Sequence, residues 1–245
     1  MDSMEAAARA LRGARYVAVL TGAGVSAESG VPTFRDAQQG LWARYDPHDL
    51  ATPEAFARNP RLVWDWYAAR REMIRRVEPN PAHRALAAME DLVPAFLLAT
   101  QNVDGLHARA GSRRLVELHG NILRVRCSSC GIHAATWDDA SPPRCDACGA
   151  YLRPDVVWFN EMLPAEAQSA ATDAAVRCDV YLVAGTSAEV YPAAALPRAA
   201  LDHGACVIEV NPDATPLSAS ATHVLRGKAG EVLPRLLRAA FGERS

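Results

Sequence analysis

The chain has 245 residues, half of them hydrophobic and 22% charged, enough apolar material to close a full core, which excludes a disordered chain, a miniprotein and a long repeat array. Its 26 basic and 28 acidic residues sum to −2, so a surface built mainly for nucleic acid or anionic lipid is not expected. No apolar run nears the roughly 18 residues of a membrane helix, and the first residues lack the order of a signal peptide; the expectation is a cytoplasmic monomer acting on a small molecule or a protein.

Residues 1–13, with Asp2 and Glu5, read as a short polar-faced helix. Tyr16–Thr21 is a continuous apolar run that stops at a glycine, and similar runs return at Ala95–Thr100, Asp179–Gly185 and Ala205–Asn211. Such runs mark strands buried on both sides. Helical patterns at Pro81–Leu92, Pro192–His203 and Glu231–Phe241 lie between or after them. The alternation predicts an α/β fold, a Rossmann-like doubly wound parallel sheet with helices on both faces. Two stretches break the pattern: 36–80, helical and rich in Trp and Arg, and 121–152, which carries paired cysteines. They are expected to form a smaller helical plus zinc-ribbon domain, leaving 1–35, 81–120 and 153–245 to the sheet, with the ligand crevice at the carboxyl ends of the strands.

Four of the six cysteines form the pairs Cys127-Ser-Ser-Cys130 and Cys145-Asp-Ala-Cys148, separated by 14 residues, each followed by a glycine, Gly131 and Gly149. This spacing suits a tetrahedral sulfur cage for one structural Zn2+, with no position left open for water. Cys178 and Cys206 stand in or near apolar runs and read as small buried hydrophobes.

The first strand leads into Gly22-Ala23-Gly24-Val-Ser-Ala27, a match to the dinucleotide-binding pattern in its proper strand-to-helix setting. Glycines there let the backbone turn and approach a diphosphate. An ordinary dehydrogenase would end a second strand on an acidic residue some 20 positions later; here Asp46 and Asp49 fall in a polar loop, which argues against hydride transfer. Glu28-Ser-Gly-Val-Pro-Thr33-Phe34-Arg35 follows the glycines, and Gln101, Asn102 and Asp104 sit at the carboxyl end of the Ala95–Thr100 run. His119 is singled out by its place at the seam between the two expected domains, where an imidazole can take a proton. His48, His83, His107, His133, His203 and His223 read as structural. A zinc-ribbon module binding nucleic acid is the competing class, and the near-neutral charge disfavours it.

Taken with Gly185-Thr186-Ser187, Leu118-His-Gly120, Val156-Val-Trp-Phe-Asn-Glu161 and Asn211-Pro212, these motifs make the chain resemble the sirtuins, NAD-dependent protein-lysine deacylases, from about Ala14 to Phe241. The resemblance implies that Ala23, Glu28, Thr33, Phe34, Arg35, Gln101, Asn102, Asp104, Gly185, Thr186, Ser187, Asn211 and Ala229 contact NAD as co-substrate, with Gly22, Gly24 and Ala27 in the same loop. It implies that Asn102 and Asp104 hold the nicotinamide carboxamide and orient the ribose, that His119 is the general base, and that the peptide carrying the acylated lysine lies as an added strand against Val156–Phe159, with Val157, Trp158 and Phe159 binding it, and against Gly185–Tyr191. Products would be nicotinamide, free lysine and O-acyl-ADP-ribose. A plain deacetylase or an ADP-ribosyltransferase on the same scaffold is the alternative.

The acyl group is addressed by Pro60-Arg-Leu-Val-Trp-Asp-Trp-Tyr67-Ala-Ala-Arg70, which reads as a helix with Tyr67 and Arg70 on one face. The pair is similar to the signature of class III sirtuins, which implies removal of succinyl and malonyl groups, and of glutaryl if Pro47 leaves room, with weak deacetylation. Asn160 stands where that family carries glycine.

Overall fold

The computed structural model describes residues 3–32, 50–138 and 140–242. Six parallel strands form its main sheet: β1 (Tyr16–Thr21), β2 (Ala95–Thr100), β3 (Leu115–Glu117), β7 (Val180–Ala184), β8 (Cys206–Asn211) and β9 (His223–Arg226), in the order β3-β2-β1-β7-β8-β9. The central strands are the continuous apolar runs, and every residue of β7 is buried. The chain leaves β1 toward β2 on one side and returns to β7 on the other, with Thr21 level with Thr100 and with Ala184. That reversal next to β1 opens a crevice at the carboxyl ends of these strands.

Alternate residues of the strands feed two separate cores. On one face α1 (Ser3–Gly13), α5 (Pro81–Met89) and α9 (Ala229–Phe241) bring Leu11, Leu86 and Leu233 against Val19, Leu98 and Ile208. On the other, α7 (Ala165–Arg177) and α8 (Leu196–Asp202) bring alanines such as Ala174 and Ala200 against Leu20, Tyr181 and Val207. Both ends of α9 are held by the beginning of the chain. The Arg12 guanidinium donates to the carbonyls of Ala240 and Ala239, each at 2.7 Å, and the Glu28 carboxylate accepts from Gly230 N–H at 2.7 Å. Each charge matches the sign the helix end prefers.

A second, antiparallel sheet pairs β5 (His133–Ala134), β4 (Gly120–Cys127) and β6 (Leu152–Val156) in that order. Beside it stand α3 (Pro53–Arg58) and α4 (Pro60–Arg75), started by Thr52 and Asn59 side chains that accept from Ala55 and Leu62 N–H groups, with proline in each first turn. These are the capping residues a helix start calls for. One side of α4 packs Val63, Trp66, Tyr67 and Ile74 with Ile122, Val156 and Trp158; another sends Trp64 to Val125, Cys127, Cys145 and Leu152.

The expected strands are found within a residue or so. The helix expected over Pro192–His203 is a 3-10 turn (Ala193–Ala195) followed by α8, and that over Pro81–Leu92 stops at Met89. No helix among the described residues is long and apolar enough to cross a membrane.

Candidate active site

Segments following β1, β2, β7 and β8 meet at the crevice. After β1 comes α2 (Ala23–Ala27), whose cap residue Gly22 has no side-chain oxygen to serve the first turn. Gly22 N–H donates to Ala184 O (3.1 Å) and Gly24 N–H to Gly185 O (2.8 Å). A Cβ on Gly22 would lie 2.7 Å from Thr186 Cβ, and one on Gly24 would lie 2.9 Å from Gly185 Cα. The glycines are thus required first by the close approach of the Gly185–Thr186 turn, where the sequence alone gave them to a diphosphate. Gly185, at φ +60°, could not carry a side chain either: its Cβ would be 2.4 Å from Val25 N. Gln101 Nε2 donates to Thr186 Oγ1 (3.0 Å) and Asn211 Nδ2 to Thr186 O (2.9 Å), tying three strand ends together beside half-buried Ser187. Ala229 is buried at the start of α9 next to the Glu28–Gly230 contact. An uncapped helix start ringed by these amides and hydroxyls fits a dinucleotide. Thr33, Phe34, Arg35 and Pro47 lie outside the described residues.

Asn102 and Asp104 are buried behind this loop. Asn102 Nδ2 donates to Gly22 O (3.0 Å) and Ser26 Oγ (3.1 Å), which fixes the amide's orientation. Burial raises the Asp104 pKa, opposed by the Leu106 N–H and the Ser26 hydroxyl. Ser26 also lies 3.3 Å from His83 Nε2. Because Asn80 N–H donates to His83 Nδ1 (3.2 Å), the ring proton sits on Nε2 and points at Ser26. His107 Nε2 is 2.9 Å from Thr21 Oγ1, and the two imidazoles lie 4.7 Å apart. Burial pushes His83 down to about 4 and His107 to about 3, so both are neutral near pH 7. Sequence reasoning left Ser26, Asn80 and His83 without a functional place; they are scattered along the chain, and only the fold assembles them.

His119 lies half-buried at the end of β3. Its Nδ1 is 2.9 Å from Gln101 O; a carbonyl only accepts, so Nδ1 carries the proton and Nε2 is left with its lone pair. Burial lowers its pKa, with the Gln101 bond pulling the other way. Beyond β6, the N–H groups of Val157, Trp158 and Phe159 donate to His119 O (2.9 Å), Glu161 Oε2 (2.8 Å) and Ala51 O (2.9 Å). The expected peptide-pairing segment is therefore not itself a strand, and its amide hydrogens are already committed. Asn160 has φ +69°, the left-handed region that glycine occupies freely and Asn tolerates better than most residues, which accounts for the residue found there.

Tyr67 is buried on α4, and its hydroxyl lies 3.0 Å from Trp158 Nε1. Arg70, one turn on, is half-buried with its guanidinium 4.9 Å from the Trp66 ring centre. Among the described residues no carboxylate pairs with it, whereas Arg75 in the last turn of the helix and Arg76, which caps it, both reach Glu72. Burial draws its pKa below the usual guanidinium range. Its neighbour Arg71 is buried and points elsewhere, donating to Ile122 O (2.8 Å) and lying against Trp64 and Trp137.

A model of the Sir2 family matches residues 22–192. The chain belongs to that family. It is 53% identical to the NAD-dependent protein deacylase 1 of Pseudomonas aeruginosa over 97% of its own length and 99% of that protein. A crystal structure of a Sir2 homolog–NAD complex superposes with a TM-score of 0.91 at 49% identity, covering 98% of this chain and 94% of the other. Sir2Af2 bound to a myristoylated histone peptide gives 0.78 at 36% identity, covering 98% and 96%.

In this Sir2-family chain the four paired cysteines converge, with all four sulfurs within 4.8 Å of one another. Cys127 and Cys148 sulfurs are 3.4 Å apart, Cys130 and Cys145 3.8 Å, Cys130 and Cys148 3.7 Å. A tetrahedral zinc with bonds of about 2.3 Å needs sulfurs roughly 3.8 Å apart, so the quartet fits. Gly131 and Gly149, both at φ +74°, turn the chain away after each pair.

Proposed function

We propose that this protein is an NAD-dependent protein-lysine deacylase that removes succinyl and malonyl groups, accepting acetyl poorly. The observation that carries the acyl preference is Arg70: a half-buried cation one helical turn from Tyr67, whose charge acts on that phenol, with no acidic partner among the described residues. A guanidinium makes two parallel bonds to a carboxylate, and a phenol can add a third. An acetyl group would enter the same space and leave the cation unpaired.

NAD, bound as co-substrate, supplies the labile nicotinamide–ribose bond and the ADP-ribose that accepts the acyl group. Around it, Gly22, Ala23, Gly24, Ala27, Gln101, Gly185, Thr186, Ser187 and Asn211 line the crevice, and Ala229 and Glu28 close its far side. Asn102 and Asp104 hold the carboxamide and orient the ribose, held in turn by Ser26 and Gly22. His119, with Nδ1 fixed on Gln101 O, presents Nε2 to take a proton from a ribose hydroxyl. The substrate lysine enters along Val157, Trp158 and Phe159; because those N–H groups are used internally, strand-like pairing there relies on carbonyls of the segment. Cys127, Cys130, Cys145 and Cys148 hold a structural zinc that takes no part in the reaction.

One peptide carrying succinyl-, malonyl- or acetyl-lysine, incubated with and without NAD while peptide mass and nicotinamide are followed, tests the reading. NAD-dependent loss of succinyl and malonyl well ahead of acetyl is expected; equal turnover of acetyl would return the protein to the plain deacetylases.

A further inference from the structure

The hydrogen bond between Trp158 Nε1 and the Tyr67 hydroxyl (3.0 Å) has a fixed direction. An indole N–H can only donate, so the phenol oxygen is the acceptor and its own hydrogen must point away from Trp158. Trp158 has little freedom to release this contact. Its backbone N–H donates to Glu161 Oε2 (2.8 Å), and the Arg153 guanidinium lies 3.3 Å from the centre of its ring. Arg153 is itself locked by two bonds to Glu161 (2.5 and 2.8 Å) and one to Val156 O (2.9 Å). The Tyr67 ring is held edge-on by Trp66, with ring centres 4.6 Å apart.

From this geometry we propose that Trp158 is a specificity-determining positioning residue, which makes Tyr67 an obligatory hydrogen-bond donor toward the acyl tail. A free phenol can turn about its C–O bond and either give or accept a hydrogen bond. With the indole donating from one side, the hydroxyl hydrogen is turned away from Trp158 and the phenol faces the tail as a donor. The site then favours a tail that ends in acceptors alone, a carboxylate, over an equally sized primary amide, whose one oxygen can serve either Tyr67 or Arg70 while its NH2 group turns a donor toward the other. Burial keeps the phenol protonated, its pKa pushed up to about 12, so the donor persists through the neutral range. The proposal rests on the acid-acyl reading above and adds what Arg70 alone does not supply: discrimination of hydrogen-bond direction as well as charge.

The test uses one peptide with succinyl-lysine, its terminal-amide counterpart and acetyl-lysine, on the unaltered protein and on Trp158→Phe, Tyr67→Phe and the double variant. Trp158→Phe keeps an aromatic ring on Arg153 but frees the phenol. It is expected to narrow the succinyl-to-amide ratio of kcat/KM about fivefold, in line with one neutral hydrogen bond, mainly through KM for succinyl. In the Tyr67→Phe background the same change should do nothing further to that ratio, because the effect runs through the hydroxyl. In solution, the Trp158 indole N–H resonance should move upfield in Tyr67→Phe. Additive effects in the cycle, an unmoved indole resonance, or Trp158→Phe lowering all three substrates by one factor would overturn the positioning role while leaving the acid-acyl reading intact. No preference for succinyl over acetyl in the unaltered protein would sink both.

Discussion

Replacing Arg70 by Met keeps an unbranched side chain of similar length and removes the charged fork. In the structure the guanidinium has the Trp66 face at 4.9 Å and no carboxylate partner among the described residues, and on the proposed reading it pairs with the ligand carboxylate. A hydrogen bond to a charged group contributes about 1.5–3 kcal/mol net. For a bidentate contact in a partly buried site we take about 3 kcal/mol, equivalent to roughly 150-fold in kcat/KM. Acetyl-lysine makes no such contact, and its turnover should stay within about threefold of the starting value, Met offering apolar surface instead. Arg70→Lys keeps the charge without the fork and should fall between. The assay is deacylation of matched succinyl and acetyl peptides at saturating NAD, with kcat and KM separated. Loss of both activities by the same factor would refute the reasoning and assign Arg70 to packing or to the cofactor side.

For His119, burial lowers the pKa, so the neutral, proton-accepting form persists below the ordinary histidine value of about 6.5; the acid limb of kcat should lie below that pH, and His119→Asn should abolish turnover with little change in Tm. His83 and His107 are held neutral in the fold, at about 4 and about 3. The unfolded chain therefore binds protons that the folded one does not as pH falls below about 6.5, and stability should decline by a few kcal/mol between pH 7 and 4, measurable as falling urea midpoints; a flat profile would contradict their burial. Gly24→Ala sets a methyl 2.9 Å from Gly185 Cα, and overpacking against backbone costs about 1–3 kcal/mol, so Tm should drop and KM for NAD rise. Cys145→Ser should release zinc and lower Tm substantially, checked by metal content and calorimetry; a folded, active, zinc-free variant would argue against the cage.

The parts of this fold legible in the sequence are those with a strong local signature. β1, β2, β7 and β8 announce themselves because strands buried on both faces are uninterrupted apolar runs, and the cysteine pairs because two short spacings suffice. β3 has three half-buried residues and no such signal, while β9 is an edge strand beginning on a histidine. α7 escaped notice because its buried residues are only Ala171, Ala174 and Ala175, too small to form an apolar stripe. Within the site, Asn102, Asp104 and His119 lie in compact motifs, and Tyr67 with Arg70 obeys helical spacing. The partners that orient them do not: Ser26 with His83, and Tyr67 with Trp158, are joined by tertiary packing alone. The backbone commitments of Val157 and Phe159 also depend on His119 and Ala51 being brought alongside, which no pattern in the segment foretells.

The last long helix is gripped at one end by Arg12 and at the other by Glu28, the latter across 202 positions of sequence. During synthesis the loop after β1 emerges from the ribosome long before its anchor exists. The nascent polypeptide therefore carries that loop without its anchor until α9 has been made and has docked, so the two can be fixed together only after folding joins segments 202 positions apart.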